Sequence, residues 1–456
     1  MVSDSTSQRP ILTLDDLAMP LSRRPERLWS LTSSELAIAF SQALDLAEGK
    51  SVGHAQRVAY IAVWLAEALG LDAAQRAGTY FGALLHDIGV TGAVADLCRI
   101  AGIDEEQIFG PSPMRGPREI RATLPFADIE AMVDAVHRHT SVGADLVRAL
   151  DLPEEAASAV RQHHERWDGR GYPEGHHATE IAIEAQVVAA ADFAESAVSS
   201  EHSSLIARRH FAQTVAQCSG GVMDPMVASA LLSITRSDAF WLGLYSDDLP
   251  STLAAFEIGN DGRKSRRRVM RFAEVFADLA DAKGGHTKAH SRKTADGAER
   301  LARELGLEPG HVEMIRLAAL LHDVGLLGVP ARVMAKPDIL SVTEMQLMRQ
   351  HPAHSEMVLQ GLPGFEEVAF WISRHHERPD GKGYPEMLSG DEIPLESRII
   401  AVADVYAALT AERPHRGALP DDDARAVLLG AAGSQLDPEL ARTFCALLER
   451  PAVASA

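Results

Sequence analysis

Histidines and aspartates recur in this chain in one order, twice. His54, His86-Asp87, His139, His163-His164 and Asp192 are matched by His290, His322-Asp323, His351, His375-His376 and Asp404. His54 precedes His86 by 32 residues, as His290 precedes His322. His139 precedes His163 by 24, as His351 precedes His375, and Asp192 follows His164 by 28, as Asp404 follows His376. Only the step from His86 to His139 is longer than its counterpart, by a 24-residue insertion. The paired histidines open an eleven-residue motif, HHERWDGRGYP at 163–173 and HHERPDGKGYP at 375–385, identical at nine positions. One or two such residues would suit helix caps or hydrogen-bonded buried histidines. Seven in fixed order, repeated, point to a duplicated metal site.

Five imidazoles and two carboxylates are too many ligands for one four-coordinate zinc. They suit two ions sharing a carboxylate such as Asp323, and a mixture of imidazole and carboxylate suits iron, manganese or zinc. Two ions roughly 3.5–4 Å apart polarise a phosphodiester, lower the pKa of bound water and stabilise the leaving oxygen. No serine or cysteine nucleophile motif is visible, so metal-assisted phosphate hydrolysis is the expected reaction class. Neighbours such as His322 and Asp323 diverge by about 100° on a helix. Both serve one centre if the carboxylate bridges to a second ion.

The elements that must position these ligands read as helices. Val58, Ile61, Ala62, Leu65, Ala66 and Leu69 form one stripe ended by Gly70, and Ala295, Ala298, Leu301, Ala302 and Leu305 another ended by Gly306. Further helical stretches fall at 308–324, 341–350, 363–376, 391–410 and 436–449, and strand-like alternation is nearly absent. The expected fold is all-α: two tandem helical domains at 36–236 and 266–450, an N-terminal arm at 1–35, and a linker at 237–265 with a short helix near 253–258. The insertion at 103–123, with GPSP and RGP, is expected as a loop over one side of the first site.

The 456 residues suffice for two or three domains, and 46% hydrophobic with 24% charged residues is ordinary for a globular protein. Cys98, Cys218 and Cys445 are far apart and form neither a disulfide framework nor a zinc ribbon. No run of roughly 18 apolar residues suggests a membrane span, and the polar N-terminus is unlike a signal peptide. A cytoplasmic setting is expected. The net charge of −20 argues against long nucleic-acid partners, but not against a small phosphate ligand held through metal cations. One basic run, at 263–268, reads as a solvated linker or helix start.

HDVG (322–325), HHE (375–377), DGKGYP (380–385) and ADVYAAL (403–409) resemble the HD-GYP branch of the HD phosphohydrolases. KPDIL (336–340), GDEIP (390–394) and RPHR (413–416) are similar to that family's flanking motifs, so the resemblance covers nearly all of 281–449. The first repeat is more distantly similar, through HDIG (86–89), its HHERWDGRGYP and AADFAE (190–195). The resemblance implies tandem HD-type domains and a phosphodiesterase that opens cyclic di-GMP or a related cyclic dinucleotide, with two or three iron or manganese ions per site. It implies metal roles for all fourteen histidines and aspartates named above. It also implies phosphate contacts for Arg413 and Arg416, whose guanidinium groups pair with phosphate oxygens, and a substrate-lining loop at Gly383, Tyr384 and Pro385. His322, Asp323, Arg413 and Arg416 are the expected catalytic set.

Several positions depart from the family pattern. A lysine usually follows HDxG; Val90 and Leu326 stand there. The aspartate usual three places after the last metal ligand is Glu195 in the first repeat and Ala407 in the second. An acidic residue four places before the first histidine accompanies a third metal in some members; Lys50 and His286 occupy that place. No RPxR follows Asp192, where Arg208 and Arg209 are candidates by composition only. The second repeat is therefore expected to be the better catalyst, and the first to bind metal and work weakly or sense a ligand. Two alternatives stay open: a broader nucleotide phosphohydrolase, and a receptor or scaffold that binds a cyclic dinucleotide without cleaving it. A homodimer or a signalling partner protein is likewise left open.

Overall fold

The computed structural model describes residues 27–91, 129–199, 204–256, 258, 265–284, 289–336, 338–412 and 417–449. The loop expected at 103–123, His286, Arg413 and Arg416 lie outside the described residues. Among those residues the architecture is all-α, with only two isolated bridges, Ser219 to Met223 and Ala432 to Leu436. No described helix is long and apolar enough to cross a membrane.

Each repeat begins with a helix that aims the next one. Ser33–Ala47 carries Asp45 near its end, and Arg266–Lys283 carries Asp281 at the matching place. Asp45 is fully buried and accepts the N–H groups of Gly53 (2.6 Å) and Ala55 (3.0 Å). Asp281 accepts the N–H of Ser291 (3.1 Å) and its hydroxyl (2.7 Å). These carboxylates satisfy donors at the start of the next helix, so His54 and His290 open helices His54–Ala68 and His290–Glu304 in fixed orientation.

Both ligand-bearing helices stop where the glycines predict, with Gly70 and Gly306 in the left-handed region. Val58, Ile61, Ala62, Leu65 and Ala66 are buried, as are Ala295, Ala298, Leu301 and Ala302. Leu305, the residue that caps the helix end, departs from the stripe and is exposed.

The helix expected over 308–324 ends earlier, at Leu321, and continues as a short 3-10 helix, Val324–Gly328. His322 and Asp323 thus sit at a break rather than within one helix, which lets adjacent side chains face one centre. The helix Glu366–Ile372 likewise stops short of His375 and His376.

The segment between the repeats holds two short helices, Asp238–Leu244 and Leu249–Ala254. The second begins earlier than the expected 253–258 because Pro250 sits in its first turn, where a missing N–H costs nothing. Phe240, Trp241, Leu249 and Leu253 are buried, and Phe240 meets the Trp64 ring edge-on at 5.7 Å, so this segment helps close the first repeat.

One apolar cluster runs through both repeats. Phe40 stacks on Phe276 at 4.3 Å and lies 6.1 Å from Phe272. Beside them the buried Lys283 ammonium donates to the carbonyls of Ala47 (3.2 Å) and Leu327 (2.5 Å).

Candidate metal centre

The sequence-predicted ligands converge twice. In the second repeat Asp323, His351, His375 and His376 form one group and His290, His322 and Asp404 another, each with ligand atoms within 4.8 Å of one another. The first repeat assembles Asp87, His139, His163 and His164, with His54, His86 and Asp192 beside them, on the same criterion. Asp323 joins the halves, one carboxylate oxygen 3.3 Å from His351 Nε2 and the other 3.2 Å from His322 Nε2. Asp87 does the same, 3.4 Å from His163 Nε2 and 3.3 Å from His86 Nε2.

Backbone carbonyls set which ring nitrogen faces inward. His322 Nδ1 donates to Ala319 (2.8 Å), His351 Nδ1 to Met348 (2.8 Å) and His375 Nδ1 to Ile372 (2.5 Å). In the first repeat His86 donates to Ala83 (2.9 Å), His163 to Val160 (2.7 Å) and His139 to Val136. A carbonyl only accepts, so Nδ1 carries the hydrogen and the Nε2 lone pair points into the centre. His54 differs: its Nδ1 is 2.7 Å from the Glu195 carboxylate, which also takes a hydrogen bond from Arg57 Nε at 2.7 Å.

The inward atoms are those a cation would satisfy. Nε2 of His86, His163 and His322 and one oxygen each of Asp87 and Asp192 are buried and form no hydrogen bond. Buried polar atoms left so are costly, and divalent ions favour such imidazole and carboxylate donors. The residues fit a metal centre. Burial next to His351 pushes His376 down to about 4, so its ring is neutral and its lone pair available. Burial alone would raise Asp323 and Asp404, yet the adjacent imidazoles hold both well below the carboxylate range.

The GYP loop packs against this wall. Tyr384 lies over His376 with ring centroids 4.9 Å apart, and Tyr172 stacks on His164 at 4.7 Å. A Cβ on Gly383 would come within 2.5 Å of Arg378 N, and one on Gly171 within 2.4 Å of Arg166 N, so only glycine lets the loop fold back this closely. Glu377, buried, accepts the N–H groups of Glu386 (2.6 Å) and Leu388 (2.9 Å), and Glu165 those of Glu174 (2.8 Å) and Gly175 (3.0 Å). These glutamates tether the loop.

Sequence reasoning passes over four further residues. Arg349 lies over the Tyr384 ring at 5.3 Å, and its first-repeat counterpart His137 stacks on Tyr172 at 4.5 Å. Asp45 and Asp281, which fix the first histidines, keep the same offset as His54 and His290; aligning the repeats beyond the histidines would have found them. Val90 and Leu326, at the lysine positions of the family, are both buried, Leu326 in a small apolar cluster with Val329 and Val333.

Comparison with known proteins gives a consistent picture. The HD domain family model matches residues 129–210 and 274–440. The chain is 28% identical to the 3'3'-cGAMP-specific phosphodiesterase 3 of Vibrio cholerae, over 89% of this chain and 92% of that protein. It is 41% identical over 173 residues, 37% of this chain and 46% of the relative, to the cyclic di-GMP phosphodiesterase response regulator RpfG of Xanthomonas campestris. Among solved structures, that of the V. cholerae cyclic GMP-AMP phosphodiesterase V-cGAP3 matches with a TM-score of 0.64 at 25% identity, covering 92% of this chain and 98% of that one.

Proposed function

The chain belongs to the HD-GYP branch of the HD domain family, and on that premise we propose that it is a metal-dependent phosphodiesterase opening cyclic dinucleotides to linear products. The observation that carries this is the inward convergence, in each repeat, of Nε2 lone pairs around a central aspartate. Relatives matched over most of their length act, by name, on 3'3'-cGAMP, and shorter matches on cyclic di-GMP.

In the second repeat, His290, His322 and Asp404 would hold one ion and His351, His375 and His376 another, with Asp323 shared. The first repeat offers His54, His86 and Asp192 beside His139, His163 and His164, with Asp87 shared. Iron or manganese ions bound there supply Lewis-acid polarisation of the phosphodiester and a lowered water pKa. The chain's own residues do the rest. Carbonyl-anchored imidazoles hold the donors still, and Glu377 keeps the loop of Gly383, Tyr384 and Pro385 against the centre. Arg349 presents a guanidinium beside Tyr384, and Arg413 and Arg416, as the family resemblance implies, would contact phosphate.

The second repeat, 266–450, is the main catalyst and the first, 36–236, the weaker or sensing unit, because the flanking motifs are the more complete in the second. A receptor that binds without cleaving draws support from one observation: apolar Leu326 and Val90 stand where a lysine would neutralise phosphate.

The deciding experiment loads the intact protein with Fe(II) or Mn(II) anaerobically and identifies products by mass spectrometry. A linear dinucleotide is expected from 3'3'-cGAMP or cyclic di-GMP. Faster turnover of a mononucleotide, or tight binding with no product, would overturn the assignment.

A further inference from the structure

The two centres differ at one residue whose side chain enters the first. Lys50 stands four residues before His54, and its ammonium lies 2.8 Å from Glu48 Oε2, 2.9 Å from His54 Nε2 and 3.6 Å from Asp87 Oδ2. An ammonium has three donors and no acceptor; here it meets the His54 ring nitrogen at hydrogen-bond distance and forms ion pairs with Glu48 and, at longer range, Asp87. Two of those partners face the centre. In the neutral ring that donates Nδ1–H to the Glu195 carboxylate, the lone pair is on His54 Nε2, which faces the Lys50 ammonium at 2.9 Å and, as in the second repeat, an aspartate, here Asp192 at 3.4 Å.

The clamp is specific to the first repeat. At the place of Glu48 the second repeat has Gly284, the end of the helix Arg266–Lys283, with no carboxylate to hold a cation. His290 Nε2 there faces Asp404 at 3.0 Å.

We propose that the Lys50 ammonium is a built-in cation replacing the ion that His54, His86 and Asp192 would otherwise hold, so that the first repeat is a one-ion centre confined to Asp87, His139, His163 and His164. This rests on the reading of both clusters as metal centres. A dication bound to His54 Nε2 would need the lone pair that Lys50 uses and would sit against a fixed positive charge. The one-ion centre lacks the paired cations that hold the attacking and leaving oxygens of a phosphodiester, while it keeps a cationic surface that phosphate can recognise.

Metal content tests this apart from activity. The chain carrying His322→Ala, Asp323→Ala, His351→Ala and His375→Ala, which removes ligands of both ions of the second repeat, loaded anaerobically with Mn(II) and desalted, should retain about one ion, in its first repeat. Adding Lys50→Met with Glu48→Gln, which removes the carboxylate otherwise left unpaired, should raise this to about two. About two ions before the Lys50 change, or no gain after it, would overturn the proposal. No ion in the first repeat of any variant would instead overturn the metal reading on which it stands. Should the variants fail to fold, anomalous diffraction from Mn-loaded unmodified protein decides. A peak among Asp87, His139, His163 and His164 with none against His54 Nε2 supports the built-in cation; a peak against His54 Nε2 refutes it.

Discussion

Gly325 and the backbone of His351 are in such close approach that a Cβ on Gly325 would lie 2.0 Å from the His351 carbonyl oxygen. Gly89 and His139 repeat the relationship at the same distance. The glycine of each HDxG motif thus lets the break after one ligand pair abut the helix that supplies the next histidine. Gly325→Ala should force that helix away, costing about 1–3 kcal/mol in overpacking and lowering metal retention in the second repeat. Gly361→Ala, with open space around it, should stay within about 0.5 kcal/mol. Chemical denaturation and metal analysis of both variants provide the comparison.

The two repeats should divide the labour unequally. His322→Ala with Asp323→Ala should abolish cyclic dinucleotide hydrolysis, whereas His86→Ala should leave most of it. Steady-state rates on Mn-loaded protein decide, and the reverse pattern would move the active site to the first repeat.

Arg349 lies over the Tyr384 ring, outside the group of metal-ligating side chains, so its expected partner is substrate rather than metal. Arg349→Ala should raise KM about tenfold, a loss of roughly 1.4 kcal/mol in binding, with a smaller change in kcat. Lysine should rescue poorly, because a planar guanidinium both stacks and pairs with phosphate. An unchanged KM would remove Arg349 from the substrate surface.

One ion pair outside the centres sets a pH signature on stability. His311 Nε2 is 2.7 Å from Glu396 Oε1, and this bond raises the His311 pKa above its usual 6.5. Because the folded-state value is the raised one, the stabilisation is fully present below about pH 6.5 and fades as pH rises through the folded pKa. The pair is partly exposed, so its worth is below roughly 1 kcal/mol. Glu396→Gln should therefore lower the melting temperature at pH 6 and leave it nearly unchanged at pH 9.

Lys283 ties the end of the first repeat's opening helix to the 3-10 turn behind Asp323. Lys283→Met leaves two carbonyls without their charged donor and should cost about 1.5–3 kcal/mol. Differential scanning calorimetry should show a lower, broader transition as the repeats begin to melt separately.

Much of this architecture is legible in the residues alone. The ligand spacings identify all fourteen converging side chains, and Gly70 and Gly306 mark true helix ends, because both signals are local or conspicuous. The break at His322-Asp323 was not legible, since the apolar periodicity of 308–321 runs into it without a proline or polar interruption. Glu165 and Glu377 directly follow the paired histidines in sequence, yet their partners are backbone N–H groups nine to eleven residues on, which side-chain patterns cannot reveal. Lys50 stood out in sequence only as a departure; its contact with His54 depends on a turn at 48–53 that no motif encodes.

The stacking of Phe40 on Phe276 has a consequence for how such a protein can change over time. Each half supplies part of the other's interior wall, so cutting the chain near residue 265 would bare aromatic surface on both fragments. A change that stripped the first repeat of its ligands would therefore still have to keep Phe40 and its neighbours, because they cover aromatic surface of the second.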